Sequence, residues 1–487
     1  MPSEFYDAGC ATISMLPDYV LLIVFELYRA DSMNYLGPTC TWHRLVHVCR
    51  RWRHVVFASP SRLNLHIVCT ERTPVRVLLD VWPPLPIVIR YWLYSTATST
   101  FPILNAITAL DHHDRVCQIQ LSHLTRPLLD VLATAMQEPY PVLTALELWS
   151  DDETALILPD TFLGGITPRL QRVWLEGLVF PALPKLLLSA VDLVSLLLDK
   201  IPPNTGYISP EVMATSLSML TKLKYLRINF RSPGLPPDIR QHTRPQRRAL
   251  LPLLTCLEFR GVRKYMEDLL AQIEAPLLDN VNIKFFNELT FDVPQLLQFI
   301  SYAKKVNSPN AAKVDFHSDF VQITLSPRRG AVGHFTLQVL CAAPLWQVSS
   351  MVQICNQAIP LLFGVERLEI CGGEDRHLFQ EWQDEIVNVQ WLGLFHSFIA
   401  VECLHVTEYL GPFIASALRE VTRRKAVEVL PALRSLFLEG LDPSELVKGL
   451  VGGFIAARRR SGRHVTIYHQ KSEWEHNLGW EQYEADD

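Results

Sequence analysis

The sequence predicts an α+β chain: a short helical domain near the N-terminus, then a solenoid of short parallel strands alternating with helices or irregular crossovers. Three observations carry this. Apolar residues recur at helical spacing between residues 15 and 60, and beyond Pro60 a small strand-like unit returns again and again. The chain also holds 33 prolines against 21 glycines, which divides it into many short elements.

With 487 residues the chain exceeds one ordinary compact core, so two or three domains or an elongated array are expected. Hydrophobic residues at 49% and charged residues at 20% describe a globular chain. A formal net charge of −5 lacks the basic surplus with which proteins neutralise phosphates, so no nucleic-acid partner is expected. The ten cysteines are scattered, mostly inside apolar runs and without a C-x-x-C pair, which predicts buried reduced thiols. MPSEFYDAGC lacks a basic n-region and an apolar h-region, and no apolar run approaches the roughly 20 residues that cross a bilayer. The expected location is cytoplasmic, nuclear or both, with no membrane partner.

Residues 1–14 read as a flexible N-terminus. At Leu16-Pro17-Asp18 the proline suits a first helical turn and the acid suits the positive end of the helix dipole. Val20, Leu21, Val24 and Leu27 form an apolar stripe, which Ile23 and Phe25 widen until it covers most of the helix. A helix apolar nearly all round needs partners on two sides, its own domain and a second protein. Ala30–Thr41 reads as a loop. Trp42–Phe57 reads as one further helix, with Leu45, Val48, Cys49, Trp52, Val55 and Val56 on one face and a face of arginine and histidine opposite.

The unit beyond Pro60 is leucine-rich-repeat-like. Its copies include LTALELW (Leu143–Trp149), LQRVWLEGL (Leu170–Leu178), LVSLLLDKI (Leu193–Ile201), LKYLRINF (Leu223–Phe230) and LTCLEFRGV (Leu254–Val262). LDNVNIKFF (Leu278–Phe286), VERLEICGG (Val365–Gly373), VECLHVTEY (Val401–Tyr409) and LRSLFLEGL (Leu433–Leu441) continue it. Successive markers Leu146, Val173, Leu196, Leu226, Leu257 and Val281 are 27, 23, 30, 31 and 24 residues apart. A second run, Leu368, Leu404 and Leu436, is spaced by 36 and 32, so the array is longer and less regular than the usual repeat of about 20–29 residues. Alternate residues of each strand should be buried, leaving Glu147, Trp174, Leu197, Arg227, Glu258, Asn282, Glu369, His405 and Phe437 facing outward. Glu147, Trp174, Arg227, Glu258 and His405 are the candidate contacts to a bound protein, because mixed charged and aromatic chemistry suits such a face.

Ser232–Arg248 is rich in proline and arginine and reads as a loop. Lys304–Gly333 reads as a polar turn, a strand or hairpin (KVDFHSDFVQITL) and another turn. Residues 61–470 thus form the repeat domain. Residues 471–487, with six acids, Trp474, Trp480 and Tyr483, form an acidic tail that is either disordered or a docking peptide.

LPDYVLLIVFELYRAD followed by TWHRLVHVCRRWRHVVFASPSRL resembles the F-box, over about 45 residues. The matching positions are Leu16, Pro17, Val20, Leu21, Val24 and Phe25, then Val48, Cys49, Arg50, Arg51, Trp52 and Arg53. The stretch LNLHIVCTERTPVRVLLDVWPPLPIVI looks like its continuation in fungal, mushroom-type F-box proteins with divergent repeats. The resemblance departs in a longer segment between the halves, and in Tyr19 and Ile23 where acids are common. It implies that residues 15–60 bind a Skp-type adaptor through Leu16, Pro17, Val20, Leu21, Val24, Phe25, Val48, Cys49, Arg50, Arg51 and Trp52. The chain would then be a substrate receptor of an SCF (Skp-cullin-F-box) ubiquitin ligase, holding an unknown protein substrate on its repeats. The alternative is a repeat scaffold or regulator outside any ligase, whose N-terminal helices only cap the array.

No nucleophile–base pair, phosphate loop or metal motif stands out, so the expectation is a non-enzyme without cofactor or metal. Asp111-His112-His113-Asp114 reads as a polar turn. Arg423-Arg424-Lys425 and Arg458-Arg459-Arg460 with Arg463 are basic clusters; the second suits a helix C-terminus or a nuclear-import signal.

Overall fold

The protein is described by a computed structural model over residues 13–36, 42–70, 73–92, 101–152, 155–202, 205–233, 248–286, 288, 290–303, 305–327, 333–341, 343–372, 385–407, 410–420, 428–439, 451–470 and 481–483. It is mixed α/β and falls into two compact units, Met1–Asp152 with Leu158–Leu170, and Glu153–Ile157 with Gln171–Asp487.

The first unit opens with α1 (Asp18–Leu36), α2 (Trp42–Val46) and α3 (Arg50–Ala58). Helix α1 runs through the residues expected to be a loop: Asp31, Ser32 and Asn34 cost a helix little compared with proline, and the sequence places its breakers later, at Gly37-Pro38. The expected single helix from Trp42 is two. Cys49 takes an extended conformation (φ −158°, ψ 170°) and its sulfur accepts the Trp52 N–H at 3.5 Å, capping α3. Arg53 Nε donates to Val46 O at 3.0 Å and satisfies a carbonyl at the end of α2.

Strands β1 (Ile67–Cys69), β2 (Ile87–Trp92), β3 (Val116–Ser122) and β4 (Ala145–Trp149) follow, all parallel and paired in chain order. Helices α4 (Val75–Val81), α5 (Phe101–Leu110) and α6 (Arg126–Ala135) make the crossovers. The expected boundary at residue 60 is not where the contacts divide. Trp42 Nε1 donates to His66 O at 3.0 Å, the Trp42 and Trp82 rings meet edge-on at 5.2 Å, and Arg62 pairs with Glu26.

In the second unit, two-residue ladders join β5 (Leu156–Ile157) to β7 (Leu178–Val179) and β10 (Ala249–Leu250) to β12 (Ile273–Glu274). The main sheet begins with β6 (Arg172–Glu176), β8 (Ser195–Ile201), β9 (Tyr225–Phe230), β11 (Cys256–Gly261) and β13 (Asn280–Phe285), parallel neighbours in that order. Helices α7 (Leu183–Ser189), α8 (Pro210–Leu217) and α9 (Arg263–Leu270) pack side by side over them.

The run then reverses. After α10 (Pro294–Tyr302) come β14 (Ala311–Phe316), β15 (Phe320–Ser326) and β16 (His334–Leu340), and it is β16 that pairs with β13. The spatial order is β13–β16–β15–β14, with β15 antiparallel to both its neighbours. Helices α11 (Pro344–Gln357) and α12 (Ile359–Leu362) then lead to β17 (Arg367–Gly372), which lies parallel to β14. Parallel order resumes through α13 (Glu385–His396), β18 (Cys403–Val406), α14 (Gly411–Arg419), β19 (Ser435–Glu439), α15 (Gly452–Arg460) and β20 (Thr466–Gln470). The hairpin expected within Lys304–Gly333 is β14–β15; the third strand, β16, was not expected.

The recurring apolar positions explain the fold. Leu193, Leu196 and Leu198, then Leu223, Leu226 and Ile228, and so on to Leu433, Leu436 and Leu438, are all buried between sheet and helices. Each fully buried side chain of this kind contributes about 1.5–3 kcal/mol, so the repeat is a packing requirement renewed at every strand. Of the acidic tail, Glu481–Tyr483 forms β21, antiparallel to β20; the remainder, with Arg423-Arg424-Lys425, 1–12 and 234–247, lies outside the described residues.

Candidate functional site

The N-terminal helices sort the expected adaptor residues by what they touch. On α1, Leu21 and Phe25 are buried, and Phe25 meets the half-buried Trp52 of α3 at 4.8 Å between ring centroids. Leu16 and Val20 are half-buried. Arg51 donates to Asp18 Oδ1 at 2.9 Å and to the Leu16 carbonyl, so it ties the start of α1 to α3. These residues build the helical hairpin. Pro17, Val24, Val48, Cys49 and Arg50 are exposed.

Sequence reasoning missed part of this outer face. Tyr19 (66% exposed), Ile23 (44%) and Leu27 (65%) extend Val24 (43%) along α1, and Val48 stands exposed on the turn before α3. The all-round apolarity of α1 was legible in the sequence, but the F-box pattern does not include Tyr19, Ile23 and Leu27, so they were not assigned to the adaptor. Arg44, Arg50, Arg53, His47 and His54 are also exposed on α2, α3 and the turn between them, while Asp18 and Glu26 are both engaged by arginine. The Arg62 hydrogen bond holds the Glu26 carboxyl below its ordinary pKa. Exposed Arg44, Arg50 and Arg53 thus give the described part of this segment a positive excess.

Behind that face His43 stacks on Trp82 at 5.1 Å between centroids, with the rings 11° from parallel. Burial, then the nearby His47 and His66, lowers its pKa to about 4.

In the first unit, Glu147 lies half-buried on β4, in register with Gln120 of β3. In the second, the other expected outward residues fall on one continuous row. Register links Trp174, Leu197, Arg227, Glu258, Asn282 and Thr336, and then Thr324, Lys313, Glu369, His405, Phe437 and Tyr468. Thr336, Thr324, Lys313 and Tyr468 were missed because β16 and β20 lack the leucine pattern and the hairpin was not placed in the row.

The structure brings Arg227 and Glu258 together. Arg227 Nε donates to Glu258 Oε2 at 2.8 Å and Nη1 reaches Asp199 Oδ2 at 3.4 Å. Tyr225 OH donates to Glu258 Oε1 and accepts from Arg227 Nη2 at 2.8 Å, and Asn229 Nδ2 donates to Asp199 at 2.7 Å. Burial opposes the Arg227 charge, but hydrogen bonding to Glu258 and the field of Asp199 more than restore it. Burial and Glu258 push the Tyr225 phenol up, keeping it neutral. These side chains form a self-compensated network. Farther along, Lys313 meets Asp315 at 2.9 Å, His405 Nε2 meets Glu439 at 2.9 Å, and Phe437 stacks on Tyr468 at 4.5 Å. Trp174 and His405 do not join the Arg227 network.

Among the described cysteines, Cys69, Cys341 and Cys355 are buried as expected, whereas Cys49 is exposed. Burial pushes Cys117 and Cys256 up to about 11 and Cys355 to about 12, which keeps these thiols protonated and poorly nucleophilic at neutral pH. Among the described residues no three histidine, cysteine or acidic side chains converge as a metal site, and no helix is long and apolar enough to cross a membrane. Residues 111–115 are a turn, with His113 Nδ1 3.0 Å from Pro139 O. In the Arg458–Arg460 run Arg458 is fully buried and its Nη2 donates to Leu433 O at 3.0 Å, whereas Arg459, Arg460 and Arg463 are exposed.

No protein-family model matches the chain, and no curated protein is significantly similar to it.

Proposed function

We propose that the chain is a substrate-recognition subunit of an SCF ubiquitin ligase, acting in the cytoplasm or nucleus without catalysis of its own. An F-box of residues 15–60 would dock a Skp-type adaptor, and a leucine-rich-repeat-like solenoid would hold the protein substrate. The observation that carries this reading is the second apolar face of α1. Tyr19, Ile23, Val24 and Leu27 stay in water while Leu21 and Phe25 fill the core. An apolar strip beside arginines suits an acidic partner with an apolar groove. The register-aligned row on the sheet supports the substrate-holding half.

Co-purification of the full chain with a Skp-type adaptor tests it. The adaptor should be retained by the wild-type chain and lost with Val24→Asp/Leu27→Asp. An intact chain that never retains the adaptor, or a variant that retains it equally, overturns the reading.

A second reading, a repeat scaffold capped by its N-terminal helices, draws on Trp42 packing against Trp82 and bonding to His66. Under it, deleting residues 1–60 should cause aggregation and adaptor should never bind. A soluble truncated chain would count against the capping role.

A further inference from the structure

The reversal of strand order has a consequence on the helical side of the second unit. Along the rest of this sheet most new strands follow a helix: α7 before β8, α8 before β9, α9 before β13, α13 before β18, α14 before β19 and α15 before β20. Between β13 and β17, however, the sheet gains β14, β15 and β16 with only α10 and α11–α12 among the described helices, none of them between β14 and β16. Strands are spaced about 4.8 Å apart and a helix with side chains is about 10 Å wide. Two strands joined to the sheet without helices of their own therefore open the layer by about one helix. Helices α7 to α10 pack side by side, as do α11, α13, α14 and α15, and the opening falls between the two groups.

A cleft of about 380 Å³ lies there, within the size range of small-molecule sites. Leu297, Ala358, Pro360 and Leu361 supply its apolar surface, and Gln298, Ser301, Asn307 and Gln357 its polar surface. Among the described residues its lining carries no charged side chain. Most of its polar atoms are committed: Gln357 accepts from Val293 N at 2.9 Å and donates to Phe291 O, while Asn307 donates to Ser301 O and accepts from Ser308. Gln298 Oε1 is taken by Arg248 Nη2 at 3.3 Å, which leaves the Gln298 amide N–H groups as donors. Ser301 spends its proton on Gln298 O at 2.7 Å, which leaves its lone pairs as acceptors.

We infer that this cleft binds a small neutral molecule with an apolar body and a group that both accepts and donates hydrogen bonds, such as a primary carboxamide. The apolar surface takes the body, Gln298 donates and Ser301 accepts. A carboxylate of the same shape has no proton for Ser301 and meets no charged side chain among the described lining residues. The inference is independent of adaptor or substrate binding.

The test uses the full-length protein and matched probe pairs, benzamide against benzoate and N-acetylleucinamide against N-acetylleucine, in saturation-transfer NMR. The carboxamides should show transfer at least several-fold stronger than their carboxylates. Ser301→Trp, on an exposed position of α10, should abolish it. Gln298→Trp, one turn earlier and also exposed, serves if the first variant does not fold. Absence of transfer from every probe, equal or stronger transfer from the carboxylates, or transfer that survives the folded tryptophan variant would each overturn the inference.

Discussion

The N-terminal helices and the outward row of the second unit's sheet solve opposite problems. Helix α1 satisfies its core with Leu21, Leu22 and Phe25 and still leaves Tyr19, Ile23, Val24 and Leu27 in water. The row from Trp174 to Tyr468 leaves little aliphatic surface, and several of its charges are matched from within, Arg227 with Glu258 and Asp199, and Lys313 with Asp315. An uncovered apolar strip gains free energy when any complementary surface removes it from water. A compensated polar network gains nothing from generic burial and penalises a partner that cannot replace its hydrogen bonds. The first surface is suited to one constant partner, and the second to discrimination.

The largest test of this contrast lies within α1. Phe25 and Leu27 are two residues apart, about 200° around a helix. Phe25→Ala should destabilise the first unit by about 3–5 kcal/mol, because it empties a packed site against Trp52. Leu27→Asp should change stability by no more than about 0.5 kcal/mol while removing adaptor binding. Urea denaturation and adaptor pull-down on both variants check it. Equal stability losses would mean that the outer face is also structural.

On the sheet, Arg227→Ala should cost about 2–3 kcal/mol, since it strands the half-buried Glu258 and Asp199 carboxylates. Glu258→Gln, which keeps the shape, should cost less. The double variant Arg227→Ala/Glu258→Gln should cost less than the sum of these two single variants, read as coupling in a double-mutant cycle. Additive losses would show that the network does not act as a unit.

Much of the fold was legible because its signal is local. A strand that must bury three residues in every unit writes L-x-x-L-x-L into the chain, and the nine copies from LTALELW to LRSLFLEGL all bury those positions. Strands β1 to β3 were less legible: VCQIQLS buries Val116, Ile119 and Leu121, but with β-branched residues in place of leucine. The break at His47–Cys49 was hidden because Val48 and Trp52 keep helical spacing across it. The reversed order of β14 to β16 is a choice among long-range pairings, which no single strand encodes. Trp174, Arg227 and Glu258 were recognisable as outward residues from alternation alone. That Arg227 and Glu258 would pair depends on register across two strands, which lies beyond any local pattern.

Acid should weaken the helical region around His43. The His43 imidazole titrates near 6.5 when the chain is unfolded, and near 4 when folded, because burial, His47 and His66 oppose its charge. Between these values the unfolded chain binds a proton that the folded one does not. The His43 contribution is therefore fully present above about pH 6.5 and is lost as the pH falls toward 4. Urea midpoints measured from pH 7 to pH 4.5 should fall, and His43→Phe, which keeps a ring against Trp82, should make the fall shallower. An unchanged slope in that variant would remove His43 from the acid response.

The smallest expected effect separates support from contact at a residue that the F-box resemblance assigns to the adaptor. Cys49 caps α3 through a sulfur 3.5 Å from the Trp52 N–H, a weak acceptor at a position where serine is favoured. Cys49→Ser should therefore hold or raise stability by up to about 0.5 kcal/mol, and Cys49→Ala should lower it by about 0.5–1 kcal/mol. If Cys49 only sets the direction of α3, adaptor affinity should follow cap strength, with serine equal to wild type and alanine slightly weaker. If its exposed thiol instead packs against the adaptor, serine should weaken binding at unchanged stability. Measuring both quantities on the same two variants decides whether this part of the helical face acts by touching a partner or by holding α3 for the residues that do.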